Sequence, residues 1–167
     1  MTLIKKMFPS PVGPLLALAD ADFLYYLGFL GQKKQEQTLA KIADLVQEQI
    51  SSGSNALLEA LEKDLSAYFT GELTSFQIAT KTFGTPFQEA VWRVMVTIPY
   101  GQTMTYKELA QSLGDSKKAR AVGLACGNNP ILFLNPCHRV LSSDGGLGGY
   151  VAGLEKKQFL LILEKNE

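Results

Sequence analysis

The chain has 167 residues, of which 46% are hydrophobic, and carries sixteen basic and sixteen acidic residues. This length supports one large domain or two small ones with a buried core. The balanced charge excludes a strongly basic nucleic-acid binder. Two cysteines and one histidine are too few for a disulfide framework or an ordinary zinc site. We find no signal-peptide or membrane-span pattern, so a cytoplasmic location with reduced thiols is expected (nucleoid-associated, or nuclear in a eukaryote).

The charges are unevenly distributed along the chain. Residues 1–79 carry six Lys or Arg and nine Asp or Glu, a net charge of −3, whereas residues 80–167 carry ten and seven, a net charge of +3. An anionic partner would therefore be expected to bind the second half.

The first half of the sequence predicts a small mixed α/β arrangement. Apolar runs separated by turn formers over the first thirty residues are typical of an antiparallel meander. Residues 33–50 have the spacing of an amphipathic helix, with an apolar side formed by Leu39, Ile42, Ala43, Val46 and Ile50. Ser54 is expected to cap a second helix that Gly71 ends, with a stripe of Leu57, Leu58, Leu61, Leu65 and Phe69. Residues 72–84 are predicted to be a linker or an edge strand.

The second half contains clear helix signals. Thr85, Pro86 and Gln88 form the pattern of a capping box with proline at the first helical position; apolar residues follow at helical spacing, namely Phe87, Ala90, Val91, Val94, Met95 and Ile98. Thr105 and Glu108 form a second capping box, and Gly114 ends that short helix. Asp115 or Ser116 is expected to cap a third helix over residues 117–126. Two short helices joined by a glycine-containing turn predict a helix-turn-helix.

The third helix is unusual for one that reads the major groove. Apart from Arg120 it presents small or apolar residues, among them Ala121, Gly123 and Ala125, which cannot form the hydrogen bonds that identify bases. One interpretation is tight packing on a neighbouring helix. The other is a helix pressed into a groove for its shape, with Arg120 as its one long side chain.

Cys137 and His138 are adjacent in the segment PCHRV. An ordinary cysteine is mostly protonated at neutral pH, so a nucleophilic cysteine needs a base. Neighbouring residues do not face each other on a regular element; the pair would need a turn or a bridging water, which Pro136 and the glycine-rich residues 145–149 permit. A buried cysteine beside a surface histidine is the alternative. Cys126 is predicted to be an inert buried thiol.

Several segments in a fixed order resemble the methylated-DNA–protein-cysteine methyltransferases, the O6-alkylguanine-DNA alkyltransferases. The resemblance is dense from about residue 66 to residue 164 and looser over the amino-terminal meander. It is carried by GTPFQEAVW at 84–92, IPYGQTMTYKELA at 98–110, RAVG at 120–123, NP at 129–130, PCHRV at 136–140 and GY at 149–150.

The resemblance implies a fold and a reaction. It implies a ribonuclease-H-like α/β domain over residues 1–80, followed by a mainly helical, winged-helix-like domain with a helix-turn-helix over residues 81–167. The implied reaction is the irreversible, single-turnover transfer of a methyl group from O6-methylguanine in duplex DNA to Cys137, without a cofactor or metal. O4-methylthymine is left open as a second substrate. The partner is double-stranded DNA, bound through the minor groove with base flipping, by a monomer with no membrane association.

The resemblance also implies roles for individual residues. Arg120 would fill the space left by the flipped nucleotide, and Tyr106 would assist flipping and donate a hydrogen bond to the guanine ring. Cys137 would accept the methyl group, His138 would take the thiol proton through a water, and Glu164 would keep that histidine charged.

Further positions are implied to support the site. Asn129 would stiffen the turn before the cysteine, and the base pocket would be lined by Tyr150 and Val151, with Val140 as a supporting residue. The surface that contacts DNA would include Arg120, Tyr106, Ala121, Gly123 and Ala125.

The sequence departs from the family pattern at three positions. Asn135 stands where a β-branched apolar residue is usual, Leu132 where some members have proline, and Ala152 where glycine is common. A tighter pocket rim at Ala152 would restrict bulky alkyl groups. The alternatives are a non-catalytic, alkyltransferase-like lesion-binding protein, a helix-turn-helix regulator and a Cys-His hydrolase. The presence of Cys137 disfavours the first, and the small residues near Arg120 disfavour the second. No oxyanion or acyl-binding signal supports the third.

Overall fold

A computed structural model describes residues 2–165. The chain forms two compact units that divide between Phe83 and Gly84. This boundary lies three residues after the one predicted from the sequence, at residue 80. The fold is mixed α/β, with six α-helices and two small sheets in the described part. Within residues 2–165, no helix is both long and apolar enough to cross a membrane.

The amino-terminal unit is built on a four-stranded sheet. Strands β1 (Leu3–Phe8), β2 (Leu15–Ala19) and β3 (Leu24–Phe29) pair antiparallel, which confirms the predicted meander. A short strand β4 (Ile50–Ser52) then pairs parallel with β1, so the strand order is β3-β2-β1-β4. All residues of β2 and β3 are buried, although β3 is an edge strand of the sheet.

Two helices complete this unit, and both differ in detail from the prediction. Helix α1 (Gln35–Val46) ends at Gln47, whose φ of 57° is left-handed and incompatible with a continuing helix; Ile50 therefore belongs to β4 and not to the helix. Helix α2 (Ala56–Phe69) is capped by Asn55, whose side chain accepts a hydrogen bond from the backbone N–H of Leu58 at 2.8 Å. The predicted cap, Ser54, lies one residue too early.

The predicted linker contains no strand. It touches the sheet at an isolated parallel bridge between Leu24 and Thr80, where the N–H of Leu24 donates to the carbonyl of Ala79 at 2.9 Å. Phe83, near its end, packs against the hydrophobic cluster around Tyr25.

The carboxy-terminal unit contains four α-helices. They are α3 (Pro86–Val96), α4 (Tyr106–Ser112), α5 (Ala119–Gly127) and α6 (Leu154–Lys165). Both predicted capping boxes are present, since Thr85 with Gln88 and Thr105 with Glu108 each exchange the two hydrogen bonds of the motif. Ile98 is buried but lies beyond the end of α3, so it packs from the following turn.

A compact connection joins α4 to α5. Gly114 takes a φ of 102°, which only glycine adopts readily. Asp115 then accepts a hydrogen bond from the N–H of Lys117 and starts a 3₁₀ turn, Ser116–Lys118. Helix α5 therefore begins at Ala119 rather than at residue 117. It packs against α3 and α4 through Val122, Ala125 and Cys126.

Candidate active site

Cys137 opens a 3₁₀ turn, Cys137–Arg139, between α5 and the short strand β6 (Val140–Leu141). The N–H of Cys137 donates to the carbonyl of Asn135 at 2.8 Å, and the N–H of Arg139 donates to the carbonyl of Pro136 at 2.9 Å. Cys137 and His138 thus lie in a turn and not in a regular helix or strand, as their adjacency in the sequence had led us to expect. Cys137 is 3% exposed, and its side chain borders a cavity of about 740 Å³.

His138 is completely buried and pairs with a carboxylate on α6. Its Nε2 lies 2.7 Å from Oε2 of Glu164. Its Nδ1 has no hydrogen-bond partner among the described residues. Because Glu164 accepts a hydrogen bond, the geometry assigns the Nε2–H tautomer and leaves Nδ1 as a proton acceptor. The alternative of a surface histidine is excluded.

Arg139 is a central member of this group that sequence reasoning missed. Its Nε donates to Oε1 of Glu164 at 2.8 Å and its Nη2 to Oε2 at 3.0 Å, while Nη1 donates to the carbonyl of Ile98 at 2.6 Å. Glu164 thus has an arginine on both oxygens and a histidine on one. The one available signal in the sequence was its position directly after Cys137 and His138.

Burial controls the protonation of the pair beside the cavity. It lowers the pKa of His138, against the opposite effect of Glu164, and the charge of Arg139 lowers that pKa further. Burial also raises the pKa of Cys137 to about 11, although a hydrogen bond from Asn129 and the charge of Lys157 act to lower it. The directions of these two pKa shifts favour a thiol and a neutral imidazole in the free protein at neutral pH. The expectation that Glu164 keeps His138 charged stays a prediction, which the charge compensation of that carboxylate by Arg139 disfavours.

Asn129 ties the turn after α5 to the segment that leads to the cysteine. Its Nδ2 donates to the carbonyl of Asn135 at 2.7 Å, and its Oδ1 accepts from the N–H of Ile131 at 3.1 Å. The side chain of Asn135 also donates to that oxygen at 3.3 Å. The departure at Asn135 is therefore accommodated, since its amide joins this network.

One wall of the cavity is formed by tyrosines and a close-packed glycine loop. Tyr106, at the start of α4, donates a long hydrogen bond of 3.4 Å to the carbonyl of Gly149. Burial raises its pKa, so its hydroxyl stays protonated. Gly148 has a φ of 72°, and a Cβ there would lie 2.6 Å from the Tyr106 ring. Tyr150 and Val151 line the cavity, and the buried Tyr150 hydroxyl has no partner among the described residues.

Lys157 on α6 is the second residue that sequence reasoning missed. It is fully buried, and its Nζ donates to the carbonyls of Val140 at 2.7 Å and Gly149 at 2.9 Å. The same ammonium lies 5.7 Å from the centroid of the Tyr106 ring. Val140 itself is buried and is not among the residues that line the cavity. Periodicity could not identify Lys157, because Lys156 beside it is the same residue type.

Helix α5 contributes one face to the lining of the cavity. Arg120, Gly123, Cys126 and Gly127 line the cavity. Ala121 is half-buried and does not line it. Ala125 is on the packed face: it is buried, and its carbonyl accepts a hydrogen bond from Trp92 Nε1 at 2.9 Å. We therefore remove Ala125 from the surface predicted to contact DNA.

Cys126 matches the expectation of a buried thiol. Its Sγ lies 3.7 Å from Sδ of Met95, and burial raises its pKa to about 12. Both cysteines are free. Within residues 2–165, no group of three or more His, Cys, Asp or Glu side chains could hold a metal ion.

Six predicted site residues thus meet at one cavity: Tyr106, Arg120, Gly123, Cys137, Tyr150 and Val151. His138, in the 3₁₀ turn that begins at Cys137, forms a buried pair with Glu164 of α6. Asn129 holds the backbone that precedes this turn through its hydrogen bond to the carbonyl of Asn135. The structure places Val140, Ala121 and Ala125 outside the lining.

Several known proteins are similar to this chain in both sequence and fold. The family model described as "6-O-methylguanine DNA methyltransferase, DNA binding domain" matches residues 86–166. A methylated-DNA–protein-cysteine methyltransferase of Methanosarcina acetivorans is 42% identical over 95% of this chain and 96% of its own. The crystal structure of Mycobacterium tuberculosis OGT in complex with DNA has a TM-score of 0.84 and 38% identity, covering 97% of this chain and 92% of that one. The chain belongs to the methylated-DNA–protein-cysteine methyltransferase family.

Proposed function

We propose that this protein repairs DNA by transferring the alkyl group of O6-methylguanine in duplex DNA irreversibly to Cys137. The observation that carries the proposal is the position of Cys137. Its thiol borders a cavity of about 740 Å³ between Arg120 on α5 and Tyr106 on α4, and it directly precedes a buried histidine paired with a carboxylate.

The reaction would be a displacement at the methyl carbon. The sulfur of Cys137 forms a bond to that carbon as the carbon–O6 bond breaks, and the bonding electron pair goes to the guanine. The thiol proton passes through a water to Nδ1 of His138, which later returns it to solvent, and the departing guanine anion takes up one proton from solvent. The protein ends as a thioether and the base as guanine, so each molecule reacts once.

The charges around the thiol suit this proton transfer. A neutral imidazole can accept a proton, and Glu164 stabilises the imidazolium formed as the thiol ionises. Lys157, whose charge lowers the pKa of Cys137, favours the thiolate in the same step. Tyr106 would donate a hydrogen bond to the guanine ring and so improve the leaving group.

We infer that DNA is bound through its minor groove and that the damaged nucleotide flips into the cavity. The target carbon of a stacked base is out of reach of a thiol inside a cavity, so extrusion is needed. Arg120 would fill the vacated space, while the small residues Ala121 and Gly123 let the helix backbone approach the groove. Helices α4 and α5 would act as the helix-turn-helix, and the protein as a monomer.

We also propose the finer fold assignment. The amino-terminal unit would be ribonuclease-H-like, supported by its order of strands with one parallel pair after a connecting helix. The carboxy-terminal unit would be a winged-helix-like, DNA-binding domain that carries the active site.

The test is to mix the protein with a duplex containing O6-methylguanine and to map the added mass by peptide. We expect one methyl group per protein, on the peptide that contains Cys137. Cys126→Ala, the matched control, should react like the wild type, and Cys137→Ala should bind DNA without accepting the group. Methyl on Cys126, or repeated turnover, would contradict the proposal; binding without any transfer would indicate a non-catalytic lesion-binding protein. A duplex containing O4-methylthymine, run in parallel, tests the second substrate.

A further inference from the structure

The loop that leads to Cys137 contains a strained residue. Phe133 is buried and has a φ of 67°, a left-handed conformation that a bulky residue rarely adopts. The N–H of Leu134 donates to the carbonyl of Leu132 at 2.8 Å, so the chain makes a γ-turn centred on Phe133. A turn of this kind costs free energy and persists only when its surroundings hold it.

Two asparagine side chains hold this loop on both sides of Phe133. Asn129 accepts a hydrogen bond from the N–H of Ile131, before the strained residue, and donates one to the carbonyl of Asn135, after it. The side chain of Asn135 closes the arrangement, because its Nδ2 donates to Oδ1 of Asn129 at 3.3 Å. Both asparagines are buried, where a hydrogen bond is stronger than in water.

Asn129 also acts on the sulfur of Cys137. Burial raises the pKa of that thiol, and a hydrogen bond from the Asn129 side chain is the largest of the effects that lower it. A side-chain amide has two donor hydrogens and can accept two hydrogen bonds. Ile131 and Asn135 occupy the oxygen of Asn129, and one of its hydrogens goes to the carbonyl of Asn135. The other hydrogen is therefore the one available to the sulfur.

We propose that Asn135 is a positioning residue for methyl transfer. By donating to Asn129, its side chain holds that amide against the strained loop and so keeps the remaining amide hydrogen on the sulfur of Cys137. A β-branched apolar residue, the type that is usual at this position, has no donor and could not act in this way. This inference rests on the proposed function, because it treats Cys137 as the group that must ionise.

The test is the pH dependence of thiol alkylation in Asn135→Leu, which keeps the size of the side chain and removes the donor. Iodoacetamide is the probe, and Cys126→Ala is the background, so that Cys137 is the only cysteine left. We expect the pKa of Cys137 to rise. Alkylation at pH 8 should slow by roughly threefold to tenfold, the range expected from one lost hydrogen bond.

The other ionisable groups around the sulfur are left in place by this substitution and cannot cause the shift. They are Tyr106, His138, Tyr150 and Lys157. Leu134→Val is the matched control, since it disturbs the packing of the same loop without removing a polar group, and it should be alkylated like the background protein. Asn135→Val removes the same donor with a smaller side chain and should reproduce the effect of Asn135→Leu.

Single-turnover methyl transfer completes the test. In both Asn135 variants it should slow by the same factor from a duplex containing O6-methylguanine and from the free base. An unchanged alkylation profile in the folded variants, an equal shift in Leu134→Val, or a loss confined to the duplex would overturn the role of Asn135. A wild type that accepts no methyl group would contradict the proposed function, whereas the alkylation profiles, which need no DNA, would still decide whether Asn135 acts on the thiol.

Discussion

Arg139 donates two hydrogen bonds to the carboxylate of Glu164, from Nε to Oε1 at 2.8 Å and from Nη2 to Oε2 at 3.0 Å. Oε2 of the same carboxylate lies 2.7 Å from Nε2 of His138. If His138 were protonated, it and Arg139 would share one buried negative charge, which would leave a net positive charge away from water. The arginine therefore favours the neutral imidazole.

Replacing Arg139 by Met should raise the pKa of His138, because a neighbouring positive charge that opposes its protonation is lost. If transfer needs the neutral imidazole, the rate should begin to fall at a higher pH than in the wild type. Single-turnover rates across the acid range measure this. The fold should also lose about 3–5 kcal/mol of stability, as expected when one partner of a buried ion pair is removed.

The control for this variant is Arg93→Met, which removes an exposed arginine from α3. It should leave both the acid limb of the rate profile and the melting temperature unchanged. An unshifted acid limb in folded Arg139→Met would mean that Arg139 is only a structural anchor.

Glu164→Gln tests the carboxylate itself. The amide keeps the size of the side chain but removes the charge that stabilises a developing imidazolium. We expect transfer to slow by roughly tenfold or more while duplex affinity stays the same. Glu155→Gln, at an exposed position of the same helix, should have no effect. An unaltered single-turnover rate on a folded Glu164→Gln protein would limit the carboxylate to a structural role.

Local signals predicted much of the fold. The capping boxes at Thr85 and Thr105 were correct because each depends on residues three apart, whose hydrogen bonds form within one helical turn. The end of α1 was misplaced because apolar spacing continues to Ile50, although Gln47 takes a left-handed conformation. The parallel pairing of β4 with β1 joins residues far apart in sequence and has no local signal.

The site, like the fold, combines residues that the sequence identifies with residues whose roles depend on the tertiary structure. Family resemblance, read together with the adjacent Cys137 and His138, brought Glu164 and Tyr106 into the predicted site. Arg139 and Lys157 could not be identified in this way, since their roles arise from the partners that the fold supplies. The three-way contact at Glu164 depends on where α6 lies, and the helix pattern alone does not determine that position.

Lys157→Met tests whether this buried ammonium holds the wall of the cavity. The variant leaves the carbonyls of Val140 and Gly149 without their donor, which should cost about 1–3 kcal/mol per unsatisfied buried group. We expect slower transfer from duplex and from free base alike, and faster hydrogen exchange over residues 142–149. Lys165→Met, at an exposed position of α6, is the matched control. Unchanged hydrogen exchange over residues 142–149 in Lys157→Met would mean that Lys157 does not hold this wall of the cavity.

The two thiols should make the protein sensitive to alkali. In the folded state the pKa of Cys137 is raised from 9.0 to about 11 and that of Cys126 from 9.0 to about 12. Folding therefore keeps both thiols protonated, and their contribution is present below pH 9 and lost as the pH rises toward the folded values. Each thiol should remove about 1.4 kcal/mol per pH unit over that range.

Denaturant melts between pH 8 and pH 10.5 measure this loss in the wild type and in the Cys126→Ala, Cys137→Ala double variant. The double variant should be less stable at pH 8, because it loses buried sulfur, but its stability should fall less steeply above pH 9. Parallel pH profiles would show that other groups cause the alkaline loss.

Substitution of Arg120 tests whether extrusion of the damaged base limits methyl transfer from duplex DNA. Its side chain is exposed and borders the cavity. Extruding a base from a duplex costs a few kcal/mol of pairing and stacking, and a side chain that fills the vacated space recovers part of this cost. Arg120→Ala should therefore slow transfer from duplex far more than transfer from the free modified base, which needs no flipping. Because one cation is removed, the salt dependence of DNA binding should decrease by at most about one phosphate contact. The decisive quantity is the ratio of variant to wild-type rates on each substrate, with Arg93→Ala as the charge-matched control. Equal losses on duplex and free base would mean that Arg120 shapes the pocket, and its role in replacing the flipped base would have to be abandoned.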